Sequence, residues 1–408
     1  MQKLYPSHLF KHQIECVEWM TRNHGGTKHS SRRDALKLQK GGVIADEMGL
    51  GKTLSALSGA IVQYELDVRC KYESVRVYAD HGILIVAPKS LVDQWKHQVD
   101  ALQFAGCIKV TSYEQLPLQK VWSMIILDEA HVIRNQNTQL YKKICALQSM
   151  RKYAVTGTPI NNSVDDLRTL YEWIGCEAYL KRTREEAGIK LPPLVRRTVY
   201  VELSEEERRL HDECSNSTER RVIATNATLK EGSSSTKTNC IVRWLRCMQD
   251  AEPHSYFIVF SQWTKVLKKL DSQVGGYVYE GELSSEERTA IQKEYTTHPR
   301  KKVLYATLQS GGTGLNLVCH AVGCKQYIVF ADLWYNPFVH EQALCRAYRI
   351  GQMYPVHVIT FCCKGSEEEK VLKIQQAKLA LDEKQNTRNE TCEQESSGSR
   401  VCSPKQKK

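Results

Sequence analysis

The chain has 408 residues, 41% of them hydrophobic and 25% charged, with a formal net charge of +11. That length exceeds what one hydrophobic core serves, so two packed domains are expected, and the apolar content excludes a wholly disordered chain. The positive balance favours a polyanionic partner, but a solvated lysine-rich surface gives the same count, so geometry has to decide.

The 15 cysteines are scattered and contain no Cys-x-x-Cys pair, which points to free thiols in a reducing intracellular compartment. The spacings of Cys240 to Cys247 and of Cys319 to Cys324 miss those of zinc sites, and no structural zinc is expected. No apolar run reaches the roughly 18 to 20 residues of a membrane helix, and no secretory leader is read. A soluble chain is expected.

In chain order, short apolar runs stand at Gly42-Val43-Ile44-Ala45, at Ile83–Ala87, at 124–127 and at Tyr153-Ala154-Val155. Bounded by turns and separated by helical patterns, they predict buried parallel strands of an α/β sheet. Directly after the first run comes Asp46-Glu47-Met48-Gly49-Leu50-Gly51-Lys52-Thr53, followed by Leu54, Leu57 and Ile61 in an apolar helical pattern. A strand-loop-helix of this kind cradles phosphates on backbone amides and a helix N-terminus, with Lys52 for the β/γ charge and Thr53 for magnesium. The strict phosphate-loop pattern opens with glycine where this chain has Asp46. The third run ends in Asp128-Glu129-Ala130-His131, where the aspartate can hold magnesium and the glutamate can polarise an attacking water.

From about Cys176 to Asp250 the chain turns charged and helical. Leu203-Ser204-Glu205-Glu206-Glu207-Arg208 reads as a capped helix start and Gly232-Ser233-Ser234-Ser235 as a flexible break. A second series follows: Phe257-Ile258-Val259-Phe260, Val303-Leu304-Tyr305-Ala306, Tyr327-Ile328-Val329-Phe330 and Val356-His357-Val358-Ile359. The expected organisation is a first lobe over 1–176, a helical insertion and linker over 177–250, a second lobe over 251–382 and a disordered tail over 383–408. The tail's basic end, 403–408, reads as solubilising before it reads as a nuclear import signal.

Asp-Glu-Met-Gly-Leu-Gly-Lys-Thr followed by Asp-Glu-Ala-His resembles the SNF2 family of DNA-dependent ATPases, within helicase superfamily 2. The resemblance runs over roughly residues 4 to 380 and implies two RecA-like parallel-sheet lobes. It makes Asp46 a family habit rather than a defect. It implies that Gln13 reads adenine and that ATP is held by Gln13, Asp46, Glu47, Met48, Gly49, Leu50, Gly51, Lys52 and Thr53, joined by Gly314 and Gln342.

The same resemblance assigns nucleic-acid contacts in the first lobe to Pro88, Lys89, Ser90, Gln94 and Trp95, to Thr111 and Ser112, and to Thr156, Gly157 and Thr158. In the second lobe it assigns them to Ser261, Gln262, Gly311, Gly312 and Asn336. Each segment could equally be a plain turn or cap, and their shared order is what favours the functional reading.

A motor of this kind needs charge supplied from the second lobe. Gln342-Ala343-Leu344-Cys345-Arg346-Ala347-Tyr348-Arg349-Ile350-Gly351-Gln352 offers Arg346 and Arg349, three apart and so expected on one helix face. Two departures stand beside them: the family's histidine is Tyr348 here, and its double tryptophan is Trp334-Tyr335.

What the resemblance implies is an ATP- and Mg2+-dependent ATPase that moves along double-stranded DNA by backbone contacts and remodels protein-DNA complexes. A nuclear site is expected, with a cytoplasmic viral one open. The alternatives are a strand-separating helicase, for which no wedge element is read, and a nucleic-acid-binding scaffold with a decayed ATPase. The latter would have lost Lys52, Glu129 or Arg349, and all three are present.

Overall fold

The structure is a computed structural model that describes residues 9–21, 41–69, 81–102, 104, 107–159, 165–225, 235–281, 283–298, 302–308, 317–319 and 323–379. Gly311, Gly312, Gly314, the 232–234 break and the 383–408 tail lie outside the described residues.

Each apolar run of the first half becomes a strand. β1 (Gly41–Ile44), β2 (Ile83–Ala87), β3 (Ile108–Ser112), β4 (Val121–Asp128), β5 (Gln148–Val155) and β6 (Tyr179–Leu180) form one sheet in the order β3-β2-β4-β5-β1-β6, every pair parallel. Around it run α1 (Lys11–Thr21), α2 (Lys52–Val68), α3 (Val92–Ala101), α4 (Gln139–Cys145) and α5 (Asp165–Ile174). Val43, Leu84 and Ile125 are buried in one core cluster, and their chain neighbours Ile44, Ile85 and Ile126 in another. Burial on both faces is why these runs are continuously apolar rather than alternating.

The second sheet repeats the plan with β7 (Leu194–Val201), β8 (Tyr256–Ser261), β9 (Tyr277–Tyr279), β10 (Val303–Thr307), β11 (Gln326–Phe330) and β12 (Val356–Cys363). Its order is β7-β12-β11-β8-β10-β9, again all parallel. Its later helices are α9 (Thr264–Val274), α10 (Ser285–Thr297) and α11 (Pro337–Leu344). Two parallel sheets flanked by helices make two RecA-like α/β lobes. Because all strands of a parallel sheet run one way, the loops that follow them leave at one edge, where α/β proteins bind ligands.

The segment expected to connect the lobes contributes to both of them. β6 pairs with β1, and β7 pairs with β12 from Leu194 through Val201. The helices α6 (Glu205–Glu213), α7 (Ser217–Thr225) and α8 (Thr236–Ala251) pack on the second sheet, where Ala224, Ile241 and Leu245 share a core with Phe257, Val259 and Phe361. α6 starts at the expected cap: the Glu207 amide donates to Ser204 Oγ at 3.3 Å and the Ser204 amide donates to Glu207 Oε2 at 2.8 Å. Lys237 on α8 is fully buried and donates to both oxygens of Glu368, at 2.6 and 2.8 Å.

Candidate ATP site and nucleic-acid interface

The loop after β1 runs directly into α2, whose first turn has no side-chain cap at Gly51, so the amides of that turn face the loop's hollow. Gly51 has φ 78°, and a Cβ there would come within 2.7 Å of Gln13 Nε2. Glycine is what lets Gln13 of α1 sit against the loop. Lys52 extends its Nζ to the carbonyl oxygens of Asp46 at 2.7 Å and Glu47 at 3.3 Å. Burial lowers the Lys52 ammonium from its ordinary value, against the opposing pull of Glu129 and Asp46. A desolvated ammonium resting on two carbonyls at an uncapped helix start is what an anionic phosphate chain fits.

Asp46 is not aimed at that hollow. Its buried carboxylate takes Arg182 Nε at 3.0 Å and Nη2 at 2.5 Å, while Arg182 Nη1 reaches the carbonyl of His12. The residue that replaces the loop's expected glycine is therefore a brace to the stretch after β6. Glu47 is held similarly, with the Arg184 amide donating to Glu47 Oε2 at 2.8 Å.

At the end of β4, Asp128 accepts from Trp95 Nε1 at 2.7 Å through Oδ2 and from the Glu129 amide at 3.0 Å through Oδ1. Burial, and then the Glu129 charge beside it, push Asp128 up to about 6. Glu129 has φ 49°, the one positive φ at a non-glycine among the described residues, and such strain clusters at functional sites. Burial works to raise its carboxyl; His131, Lys52 and Arg346 outweigh it and hold Glu129 below the ordinary value. Its Oε2 lies 3.2 Å from His131 Nδ1, without hydrogen-bond alignment.

The second lobe reaches this acidic pair. Gln342 on α11 donates from Nε2 to Glu129 Oε1 at 2.8 Å. α11 ends at Leu344, and Arg346 and Arg349 lie on the turns that follow rather than on a helix face as expected. The carbonyl of Arg346 is taken by the Leu317 amide at 2.9 Å, which diverts it from a helical bond. Burial lowers both guanidinium groups, and the Glu129 charge opposes this at Arg346. Arg349 packs beside Gly49, where an added Cβ would stand 3.5 Å from the arginine's own Cβ.

The residues expected at the nucleic acid divide by exposure. Lys89 and Ser90 are exposed on the short turn between β2 and α3, with Pro88 and Gln94 half-buried beside them. Trp95 is 1% exposed and its indole is committed to Asp128, so it supports the acidic pair instead of meeting a strand. Thr111, Ser112, Thr156 and Thr158 are also buried. Thr111 Oγ1 donates to the Gln115 carbonyl at 2.7 Å, and Thr156 Oγ1 accepts from the Thr158 amide at 3.2 Å. Gly157 lies against the phosphate loop: a Cβ there would come within 2.7 Å of Met48 Cγ and 3.3 Å of Lys52 Nζ.

In the second lobe Ser261 is buried on Asp332, whose Oδ1 also accepts from the Gln262 amide at 3.1 Å. Asn336 caps α11 by accepting from the Phe338 amide at 3.2 Å.

Arg182, Arg184 and Asp332 carry much of this geometry; the sequence places Arg182 only in the Leu180-Lys181-Arg182-Thr183 stretch that resembles the family's linker, and marks neither of the others. Arg182 acts on a residue 136 positions away. The one available signal was an unexplained Asp46 followed much later by a basic stretch.

The SNF2-related domain family matches residues 12–115 and 107–184, and the helicase conserved C-terminal domain matches 236–351. An uncharacterized ATP-dependent helicase of Mycoplasma genitalium is 25% identical over 93% of this chain and 42% of its own length. The ISWI chromatin-remodeling complex ATPase CHR11 of Arabidopsis thaliana is 26% identical over 84% of this chain and 40% of its own. The DNA repair protein RAD5 of Candida glabrata is 37% identical over 37% of this chain and 14% of its own. The chain thus spans less than half the length of these relatives. With one domain match on each sheet, in the order in which the two lobes follow along the chain, the protein belongs to the SNF2 family of helicase superfamily 2.

Proposed function

We propose that the chain is an ATP-driven motor that moves along double-stranded DNA and remodels the complexes bound to it. The observation that carries the reading is the 2.8 Å contact from Gln342 to Glu129, which sets the second lobe's arginine turn against the first lobe's acidic pair. A site divided this way is complete only with the lobes together, so nucleotide in the cleft favours closure and its loss favours opening.

In this reading the phosphates take the Lys52 ammonium and the first amides of α2 in place of the loop carbonyls. Thr53 and Asp128 would hold magnesium, which would supply positive charge beside the phosphate oxygens. Glu129, kept ionised by its basic neighbours, orients the attacking water, and Arg349 beside Gly49 faces the charge that develops on the terminal phosphate. The exposed Lys89 and Ser90 meet the DNA backbone without reading sequence. Gly157, packed on Met48 and Lys52, ties the Thr156-Gly157-Thr158 loop to the nucleotide.

The test is ATP hydrolysis by the purified chain with and without saturating duplex. A higher rate with duplex is expected, and an equal rate overturns the motor reading. A strand-displacement assay run beside it separates a translocase, which releases no strand, from a helicase, which does.

A further inference from the structure

Between the last strand of the first sheet and the first strand of the second lies the stretch 181–193, and Arg184 within it touches both lobes. Its amide donates to Glu47 Oε2 at 2.8 Å, and Nη2 lies 3.0 Å from Glu47 Oε1. The same Nη2 donates to the Met48 carbonyl at 3.1 Å and to Cys345 Sγ at 3.3 Å. The guanidinium lies over the Tyr348 ring, 5.1 Å from its centroid. Tyr348 in turn donates its hydroxyl to the Pro192 carbonyl at 2.9 Å, so the ring is fixed to the same stretch.

Glu47 and Met48 immediately precede Gly49 of the phosphate loop, and Cys345 and Tyr348 alternate with Arg346 and Arg349. One planar cation is thus shared between the two halves of the site. A plain ion pair to Glu47 needs neither the ring nor the thiol. The contacts to Cys345 and Tyr348 exist only with the lobes together, whereas those to Glu47 and Met48 belong to the first lobe alone. Opening therefore strips the guanidinium of its ring and leaves it on the loop. A planar guanidinium that reaches from the loop to the ring while donating is what this position uses, and lysine, a compact point charge, replaces it only in part.

We propose that Arg184 is a positioning residue that registers lobe closure: it rests on the Glu47-Met48 turn throughout, and Tyr348 on arrival fixes its guanidinium and with it that turn. This rests on the two-lobe motor reading above, and it adds a coupling element outside the groups that touch ATP.

The experiment uses the full chain with one fluorophore on each lobe, and the variants Arg184→Ala, Arg184→Lys, Tyr348→Leu and the double Arg184→Ala/Tyr348→Leu. Energy transfer with a non-hydrolysable ATP analogue reports closure, and steady-state hydrolysis gives kcat and KM. Arg184→Ala is expected to lower the closed fraction and to cut kcat about tenfold while KM stays within about twofold, as loss of a contact made only in the closed state requires. Tyr348→Leu should do the same, the double variant should be no worse than either single one, and Arg184→Lys should recover only part. Additive losses, full recovery by lysine, or a raised KM at unchanged kcat overturns the proposal. Should Arg184→Ala fail to fold, Arg184→Lys and Tyr348→Leu decide it by the same readouts. If the wild type closes on the analogue but ignores duplex, the motor reading fails while the closure data still judge Arg184.

Discussion

Gln342 and Glu129 stand 213 residues apart in the chain and 2.8 Å apart in space, one on each lobe. The bond has an ionised acceptor, and such bonds are the stronger kind. Gln342→Ala is expected to lower kcat on the order of tenfold or more, with little change in KM for ATP, because the glutamate loses the partner that fixes its direction. Steady-state hydrolysis checks this, and an unchanged kcat would remove Gln342 from the site.

Arg349 packs from the second lobe beside Gly49 of the loop that carries Lys52, and the loss of each should look different. Lys52→Ala should abolish turnover with the fold intact by circular dichroism. Arg349→Ala should keep nucleotide binding while hydrolysis falls about 10³-fold, the usual scale for a charge supplied to the terminal phosphate. Binding is read by fluorescent nucleotide titration. If Arg349→Ala turns over at the wild-type rate, Arg346 takes the role.

Trp95→Phe preserves an aromatic ring against the core and deletes one donor, the indole N–H that Asp128 Oδ2 accepts at 2.7 Å. The variant should fold with a loss of about 1–3 kcal/mol, the cost of a buried acceptor left unmatched. It should also require several-fold more magnesium for half-maximal hydrolysis, since Asp128 is freed to turn. A normal magnesium titration would leave Trp95 a packing residue only.

His340 gives a stability dependence on pH with a definite sign. It is buried, its Nε2 accepts from the Trp334 amide at 3.0 Å, and burial followed by the Arg196 charge lowers it from 6.5 to about 3. The folded protein therefore keeps the imidazole neutral where the unfolded chain protonates it. Its contribution is complete above 6.5 and is lost as pH falls toward 3, amounting to about 2 kcal/mol by pH 5. Denaturant unfolding at pH 7 and pH 5 should show wild type losing more than His340→Gln. Equal losses would assign the acid sensitivity elsewhere.

The apolar runs account for β1, β2, β4, β5, β8, β10, β11 and β12 but not for β3, β6, β7 and β9, because a doubly buried strand is a continuous apolar run and a short or edge strand is not. The phosphate loop was legible as a local pattern, a strand, a turn and a helix start. β7 was not read, and its burial shows why. As an edge strand with Arg196, Arg197, Thr198 and Tyr200 exposed, it carries no apolar run. β6 has only two residues. The partners of Asp46 and of Trp95 are pairings across long sequence separations, set by how α1, α3 and the stretch after β6 lie on the sheet. The arginine turn was read as helix because Arg346 and Arg349 have helical spacing; the carbonyl taken by Leu317 is a tertiary event with no local mark.

Lys237 and Glu368 bracket nearly the whole second lobe, 131 residues apart in sequence, and neither can be exposed without stranding a charge in the core. Peeling α8 away, or fraying the segment after β12, breaks the same pair from opposite ends. Amide exchange in α8, β8 and β12 should then follow a single opening event rather than a graded loosening. In mechanical terms the second lobe should then open or hold as one body, its helices included.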